Sequence, residues 1–277
     1  MESGFDTDAY FRRIGYAGSS EPTLDTLCAL VAAHNRAIPF ENLDPLLGTP
    51  VYDLSPTALS DKLVRRRRGG YCFEQNGLMR YALTELGFGV DALAGRVVWM
   101  RPDGLAGPPA AQTHNVLSVS VGGVDGRFLV DVGFGGQTLS SPIPLQANVV
   151  AQTRHEPYRI SEHGDRLVLE ACVRDTWQPL YVFSRQPQPL IDLQVASWYV
   201  STFPESHFVT SLMVALVTDD ARWNLSGRNL AIHRADTTER IRFETAAQVA
   251  DALTKRFGID LSGLGDVEAR VNEVLDA

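Results

Sequence analysis

Cysteine is scarce in this chain. Three cysteines among 277 residues are too few, and the wrong parity, for a disulfide framework, so a reducing cytoplasm is the expected setting. No apolar run approaches the ~18 to 20 residues that a membrane span needs, and no membrane partner is expected. The amino-terminal MESGFDTDAYF is acidic and lacks the basic-then-apolar pattern of a secretory signal. A formal net charge of -8 argues against a general nucleic-acid binder, whose affinity rests on neutralising phosphates. The cysteines and histidines show no zinc-type spacing, so no metal is expected. Internal repeats, low-complexity tracts and a clear flexible linker are absent as well. What remains, 44% apolar and 21% charged residues, is the composition of a globular protein with a sizeable core.

The first ~90 residues read as helical. Asp6 or Thr7 caps a helix through Ile14, and Gly15 ends it. Pro22 opens a second helix with Leu24, Leu27, Cys28 and Val31 on one stripe, which makes Cys28 a small core residue. Ser55 and Pro56 start a third, with Leu59 and Leu63 inward, and a fourth runs from about Cys72 with Leu78, Tyr81, Ala82 and Leu86 on one face. The period then changes to short, β-branched, partly alternating runs, which predicts a largely antiparallel β-domain from about 90 to 205 that includes Cys172. SHFVTSLMVALVT and RWNLSGRNLAIHR read as further strands, and helices over TAAQVADALTKRF and DVEARVNEVLDA close the chain.

Cys72 sits in RRRRGGYCFEQN, after two glycines and at the predicted start of a helix. A thiol reacts as thiolate, and the unpaired N–H groups of a helix N-terminus favour that anion. Gly69 and Gly70 permit a sharp turn and a close backbone approach. The competing reading is a buried cysteine in a tight junction, because a nucleophile also needs a base. Of six histidines, His114 is the one for which strand pairing supplies a partner. If the reversal between HNVLSVSV and RFLVDVGF centres on Gly122-Gly123, His114 faces Asp131, at ~4.5 to 5.5 Å between Cβ atoms. If it centres on Asp125-Gly126, Asp131 faces Ser120 and His114 lies roughly 20 Å along the ladder. Sequence chemistry leaves both registers open. An aspartate inside FLVDVGF is costly to bury unpaired, which favours the first; a strand-end cap is the other reading. Together the three residues would form a Cys-His-Asp system with Cys72 as nucleophile, His114 as base and Asp131 as its orienter.

On these residues the chain resembles the arylamine N-acetyltransferases, particularly the bacterial ones. RGGYCFEQN matches an Arg-Gly-Gly-x-Cys-x-Glu-x-Asn signature through Arg68, Gly69, Gly70, Cys72, Glu74 and Asn76, and IPFENLDPL carries Pro39, Phe40, Glu41 and Asn42. THNVL supplies the histidine and DVGFGG the aspartate, and the resemblance runs end to end. It implies an α+β fold with a cysteine-protease-like Cys-His-Asp core. A helical bundle over 1–90 carries Cys72, an antiparallel β-barrel domain over 91–205 carries His114 and Asp131, and an α/β lid covers 206–277. It further implies a triad of Cys72, His114 and Asp131, and so favours the Gly-Gly register. Arg68 and Glu41 become a structural ion pair near the site, with the first three arginines of the run on the surface.

The implied reaction is a ping-pong acetyl transfer from acetyl-CoA, as co-substrate and without a prosthetic group, through an acetyl-Cys72 thioester. The acceptors are arylamines and arylhydrazines for N-acetylation and N-hydroxyarylamines for O-acetylation. Phe40, Tyr71, Phe134 and Phe208 are expected in or near an aromatic acceptor pocket. Gly133, Gly135, Gly136 and Thr138 are expected against coenzyme A, with His233 touching it by analogy. GFGGQT is no Walker-type loop, since no Gly-Lys-Ser/Thr follows. The alternatives are a peptide- or amide-cleaving hydrolase using the same three residues and, from another class, a non-catalytic binding protein that keeps the fold.

Overall fold

A computed structural model describes residues 5–275, so residues 1–4 and 276–277 at the two ends of the expected outer domains lie outside the described residues. Helices α1 (Thr7–Ile14) and α2 (Leu24–Ala37) come first along the chain, α1 capped by the Asp6 side chain at Ala9 N and ended by left-handed Gly15. A two-residue strand β1 (Phe40–Glu41) leads to short helices α3 (Leu43–Leu46) and α4 (Pro56–Leu59). A π-helical segment, Ser60–Arg65, continues α4 and precedes α5 (Cys72–Glu85).

Two expectations for this region need correction. Cys28 is only half-buried; the inward stripe of α2 runs instead through Leu27, Leu30, Val31 and His34. Helix α5 has no single apolar face at its start, because every residue from Cys72 to Met79 is buried. Its Glu74, Gln75 and Asn76 are buried polar residues with partners, as burial requires.

Strands β2 (Gly89–Val97), β3 (His114–Ser120), β4 (Phe128–Val130), β5 (Ile143–Pro144), β6 (Val150–Ala151), β7 (Tyr158–His163), β8 (Arg166–Val173) and β9 (Thr176–Pro187) follow. They make one antiparallel sheet in the order β5-β4-β3-β2-β9-β8-β7-β6, curled into a nearly closed barrel. Strand β3 is buried on both faces. Val116 joins the barrel interior with Leu129, Tyr158 and Tyr181, whereas Leu117 and Val119 join the core shared with α1, α2 and α5. By the two-residue period His114 shares the interior face with Val116, and Asp131 shares it with Leu129.

The β3–β4 register is neither of the two considered from the sequence. Leu117 faces Val130, Ser118 faces Leu129 and Val119 faces Phe128. Continued, that register sets Val116, not His114, opposite Asp131. The turn takes in both glycine signals, with Gly123 and Gly126 at φ 74° and 85°. A displacement of two residues leaves every side chain on its expected face, so His114 and Asp131 remain diagonal neighbours.

Beyond the barrel the segment read as β to residue 205 contains a helix, α6 (Leu190–Thr202), and SHFV forms a helical turn, α7 (His207–Thr210). Strands β10 (Met213–Val217), β11 (Arg222–Ser226), β12 (Asn229–His233) and β13 (Thr238–Arg242) then pair in sequence. Strand β1 extends this second sheet, Phe40 facing Ala215, so the amino-terminal segment and the carboxy-terminal sheet share one ladder. Helices α8 (Ala246–Lys255) and α9 (Val267–Val274) cover its other face through Val249, Leu253, Val271 and Val274. Among the described residues no helix is long and apolar enough to cross a membrane.

Candidate active site

Each residue of RGGYCFEQN has a structural reason. Arg68 is 1% exposed, and its guanidinium meets Glu41 at 2.7 Å and Asp44 at 2.9 Å. The second oxygen of Glu41 accepts the Leu43 N–H at 2.6 Å, which fixes the β1–α3 corner. Arg65, Arg66 and Arg67 are exposed, as expected. Gly69 passes so close to the Pro39 carbonyl and Glu41 that a Cβ has no room there. Gln75 donates to Pro39 O at 2.7 Å through its amide nitrogen and accepts from His34 Nε2 at 2.7 Å through its amide oxygen, tying α5 to α2. Asn76 lies one turn after Cys72 on the same side of α5.

That turn brings the nucleophile candidate to the barrel. Cys72 is 4% exposed, and its thiol donates to Thr113 O at 3.6 Å, directly before His114. His114 Nε2 lies 2.7 Å from Asp131 Oδ2, and both side chains are buried. The other carboxylate oxygen accepts from Asn76 Nδ2 at 2.9 Å and from Gly133 N at 3.0 Å. Asn76 also donates to Asn115 O at 2.7 Å and accepts the Val132 N–H at 3.0 Å. It thereby locks the strands that carry His114 and Asp131 to the helix that carries Cys72. In the sequence Asn76 stands out as a member of the signature, and its position four residues after Cys72 is the signal that puts it on the same side of the helix.

Electrostatics follow from this packing. Burial alone would pull the His114 pKa down, but the Asp131 charge and hydrogen bond, with a smaller contribution from Cys72, raise it to about 10. Burial would likewise raise Asp131, and the His114 charge with the bonds from His114, Asn76 and Gly133 hold it below its ordinary value. Tyr181, which no motif in the sequence singles out, packs its ring against His114 inside the barrel, with centroids 4.6 Å apart and planes tilted by 47°. Burial, with the Asp131 charge beside it, pushes its hydroxyl well above the ordinary tyrosine value.

The aromatic residues expected at a pocket surround this centre unequally. Phe134 packs edge-on against His114 at 5.2 Å. Phe208 lies 6.2 Å from Phe40 and 5.0 Å from Tyr71, and Phe40, Phe134 and Phe208 are each partly exposed. Tyr71 is fully buried beneath them, its hydroxyl bonded to Ser197 at 2.8 Å. A separate cleft of about 440 Å³ opens beside α6 and is lined by Phe73, Thr113, Leu193, Ala196 and Tyr199.

The glycine loop presses on the site from the other side. A Cβ on Gly133 would stand 2.7 Å from Cys72 Cα and 2.9 Å from Asn76 Nδ2. Gly135 adopts φ 75° with Phe40 3.5 Å from where a Cβ would be. Gly136 backs onto Asn224. Thr138 is 3% exposed, its hydroxyl accepting from Phe134 N at 2.8 Å and donating to Asp131 O at 3.1 Å. His233, on β12 across from Arg222, bonds Thr238 at 3.0 Å; Arg222 in turn donates to Thr138 O at 2.9 Å. Among the described residues no group of three or more His, Cys, Asp or Glu side chains is placed to hold a metal ion.

The N-acetyltransferase family model matches residues 23–265. The arylamine N-acetyltransferase of Mycolicibacterium smegmatis is 66% identical over 273 residues, 98% of either chain. The chain belongs to the arylamine N-acetyltransferase family. Two solved structures of the family carry the same fold. That of the M. smegmatis enzyme superposes with a TM-score of 0.96 at 66% identity, over 99% of this chain and 100% of that one. The Mycobacterium marinum arylamine N-acetyltransferase in complex with CoA superposes with a TM-score of 0.94 at 57% identity, over 97% of this chain and 99% of that one.

Proposed function

We propose that this family member carries acetyl from acetyl-CoA to small aromatic amines and hydrazines, and to the oxygen of N-hydroxyarylamines, through a thioester on Cys72. The observation that supports it most is the buried His114–Asp131 pair at 2.7 Å beside a thiol on the first turn of α5. Asp131 orients the imidazole by Nε2 and stabilises its charge, which leaves Nδ1 as the nitrogen for the Cys72 proton.

In the first half-reaction the Cys72 thiolate attacks the acetyl carbonyl, and the bond from that carbon to the CoA sulfur breaks. The departing CoA thiolate takes the proton held on His114. In the second, the amine nitrogen attacks the Cys72 thioester and gives a proton to His114, and Cys72 leaves as thiolate. Splitting the transfer this way lets one site serve donor and acceptor in turn, which is ping-pong kinetics.

Phe40, Phe134 and Phe208 are the walls for a flat acceptor ring, with Tyr71 as the rigid support behind Phe208. For coenzyme A we assign the backbone of Gly133, Gly135 and Gly136, with Thr138 holding that loop in shape and His233 at the edge of the second sheet. Residues 1–90 supply the nucleophile, 91–205 the base and its orienter, and 206–277 the cover over the acceptor side. The free thiols of Cys28, Cys72 and Cys172 suit a reducing cytoplasm.

The discriminating experiment follows CoA release from acetyl-CoA with and without an arylamine. This reading expects about one equivalent per chain without amine and continuous turnover with it. Continuous release without amine would mean that water resolves the acyl-enzyme, the hydrolase outcome. No release under either condition would remove the reading.

A further inference from the structure

The first turn of α5, which carries Cys72, is tied to an ion cluster that the transfer chemistry does not use. Glu74 Oε2 accepts the N–H of Tyr71, the residue before Cys72, at 3.2 Å. Glu74 Oε1 lies 2.6 Å from Lys62 Nζ, and the same ammonium meets Asp44 Oδ2 at 2.7 Å. Glu74 is 2% exposed and Lys62 11%, so neither charge is left to solvent. Lys62 is delivered by the π-helical segment, a geometry that recurs where a side chain must be re-aimed. Gly70 leaves the room: a Cβ there would stand 2.6 Å from Glu74 Oε2.

The charged groups around Glu74 come from every element packed on it. They are Lys62 from the π segment, Asp44 from α3, Glu41 from β1 and Arg68 from the turn into α5. With Glu74 ionised, three carboxylates against two cations leave one net negative charge in the cluster, two residues along the helix from the thiol-bearing Cys72. Burial pushes the Glu74 carboxyl up to about 7; Lys62 opposes this, and Asp44 and Glu41 add to it. Burial would lower the Lys62 ammonium, but Glu74, Glu41 and Asp44 outweigh it and raise it.

We propose that Lys62 and Glu74 are a positioning pair for Cys72: Lys62 clamps the Glu74 carboxylate, which holds the first turn of α5 and sets the charge against which the thiol ionises. A cap at Tyr71 fixes where Cys72 stands relative to His114. A carboxylate two residues from the thiol opposes a second anion, and Lys62 limits that opposition. Replacing Lys62 or Glu74 therefore acts on the thiolate without touching donor or acceptor. The inference rests on Cys72 being the nucleophile.

The experiment is the pH profile of Cys72 alkylation by iodoacetamide, with peptide mapping and a thermal melt of each variant. Glu74→Gln keeps the shape and an oxygen for the Tyr71 N–H, leaves Lys62 on Asp44, and makes the cluster neutral. Its midpoint should fall by about one pH unit. Lys62→Met combined with Glu74→Gln restores the single net negative charge, and its midpoint should return toward that of the parent. Either folded variant decides the matter, and a profile that superposes on the parent for Glu74→Gln, or stays displaced for the double variant, overturns the proposal. Protection of Cys72 by acetyl-CoA in the parent separates the two claims. With protection present, an unmoved profile removes the pair alone; without it, the nucleophile reading falls and takes the pair with it.

Discussion

His114 and Asp131 meet at 2.7 Å although they do not face each other across the sheet, the β3–β4 ladder being displaced by two residues from the register that would oppose them. The diagonal suits an imidazole, which is long enough to span it, and Asn76 and Gly133 take the second carboxylate oxygen. Asp131→Asn keeps the size and loses the charge. Turnover should fall by at least about 100-fold, through the wrong tautomer and an unsupported imidazolium. The pair also leaves a mark on stability. Its raised histidine contributes fully below pH 6.5 and is lost as pH rises toward about 10, so the alkaline decline in melting temperature should flatten in Asp131→Asn. Parental turnover in that variant would remove Asp131 from the site.

Asn76 binds helix to barrel by three hydrogen bonds of 3.0 Å or less. Asn76→Ala should cost about 2 to 3 kcal/mol by leaving Asn115 O and Val132 N buried without a partner. It should also slow the half-reaction that releases CoA, since Cys72 and His114 are then no longer tied to one frame. A chemical-denaturation midpoint and single-turnover kinetics on the same sample would test both.

Gly133 and Gly136 separate two roles in one loop. A methyl at 133 collides with the Cys72 backbone, whereas a methyl at 136 meets the side chain of Asn224. Gly133→Ala should therefore cost about 1 to 3 kcal/mol and most of the activity. Gly136→Ala should retain acetylation by acetyl-CoA and change mainly its KM. Equal kcat losses in the two would contradict the packing assigned to Gly133.

His34 makes acid stability readable. It is fully buried between Tyr10 at 2.9 Å and Gln75 at 2.7 Å. Burial draws its pKa from 6.5 down to about 4, the Gln75 bond opposing and the Arg13 charge adding. The unfolded chain then binds a proton that the folded one refuses. Stability present above pH 6.5 is lost as pH falls toward about 4, on the order of 3 kcal/mol in all. Melting temperatures between pH 7 and 4.5 should decline less steeply in His34→Gln than in the parent, and parallel declines would refute the assignment.

The three thiols should differ sharply. Cys28 is half-exposed, yet burial and the nearby Asp25 charge raise its pKa, and Cys172 lies on the barrel strand β8, away from a helix N-terminus. Iodoacetamide should label Cys72 much faster than either, and acetyl-CoA should slow that reaction alone. Uniform labelling would argue against an activated thiolate.

Much of this is legible in the amino-acid sequence. Helix starts at Asp6, Ser55 and Cys72 and the strands at His114 and Phe128 follow from caps and period, because those signals are local. The diagonal between His114 and Asp131 is not, because a turn with two competing glycine signals leaves the register to tertiary packing. Helix α6 was missed for a related reason: Ile191, Val195, Trp198 and Tyr199 are exposed, so its apolar residues mark no inward face. Lys62 is not legible because it acts across a fold contact that neither sequence distance nor period encodes, and Asn76 is legible only as a signature residue one turn after Cys72, since the strands it bonds are brought to it by the tertiary fold.

The most direct measurement is mass spectrometry with peptide mapping after incubation with acetyl-CoA alone. The account predicts one acetyl group per chain, on the Cys72 peptide, discharged by an arylamine and absent from Cys72→Ser. An unmodified Cys72 peptide, or acetyl on any other residue that is then passed to the amine, would contradict it.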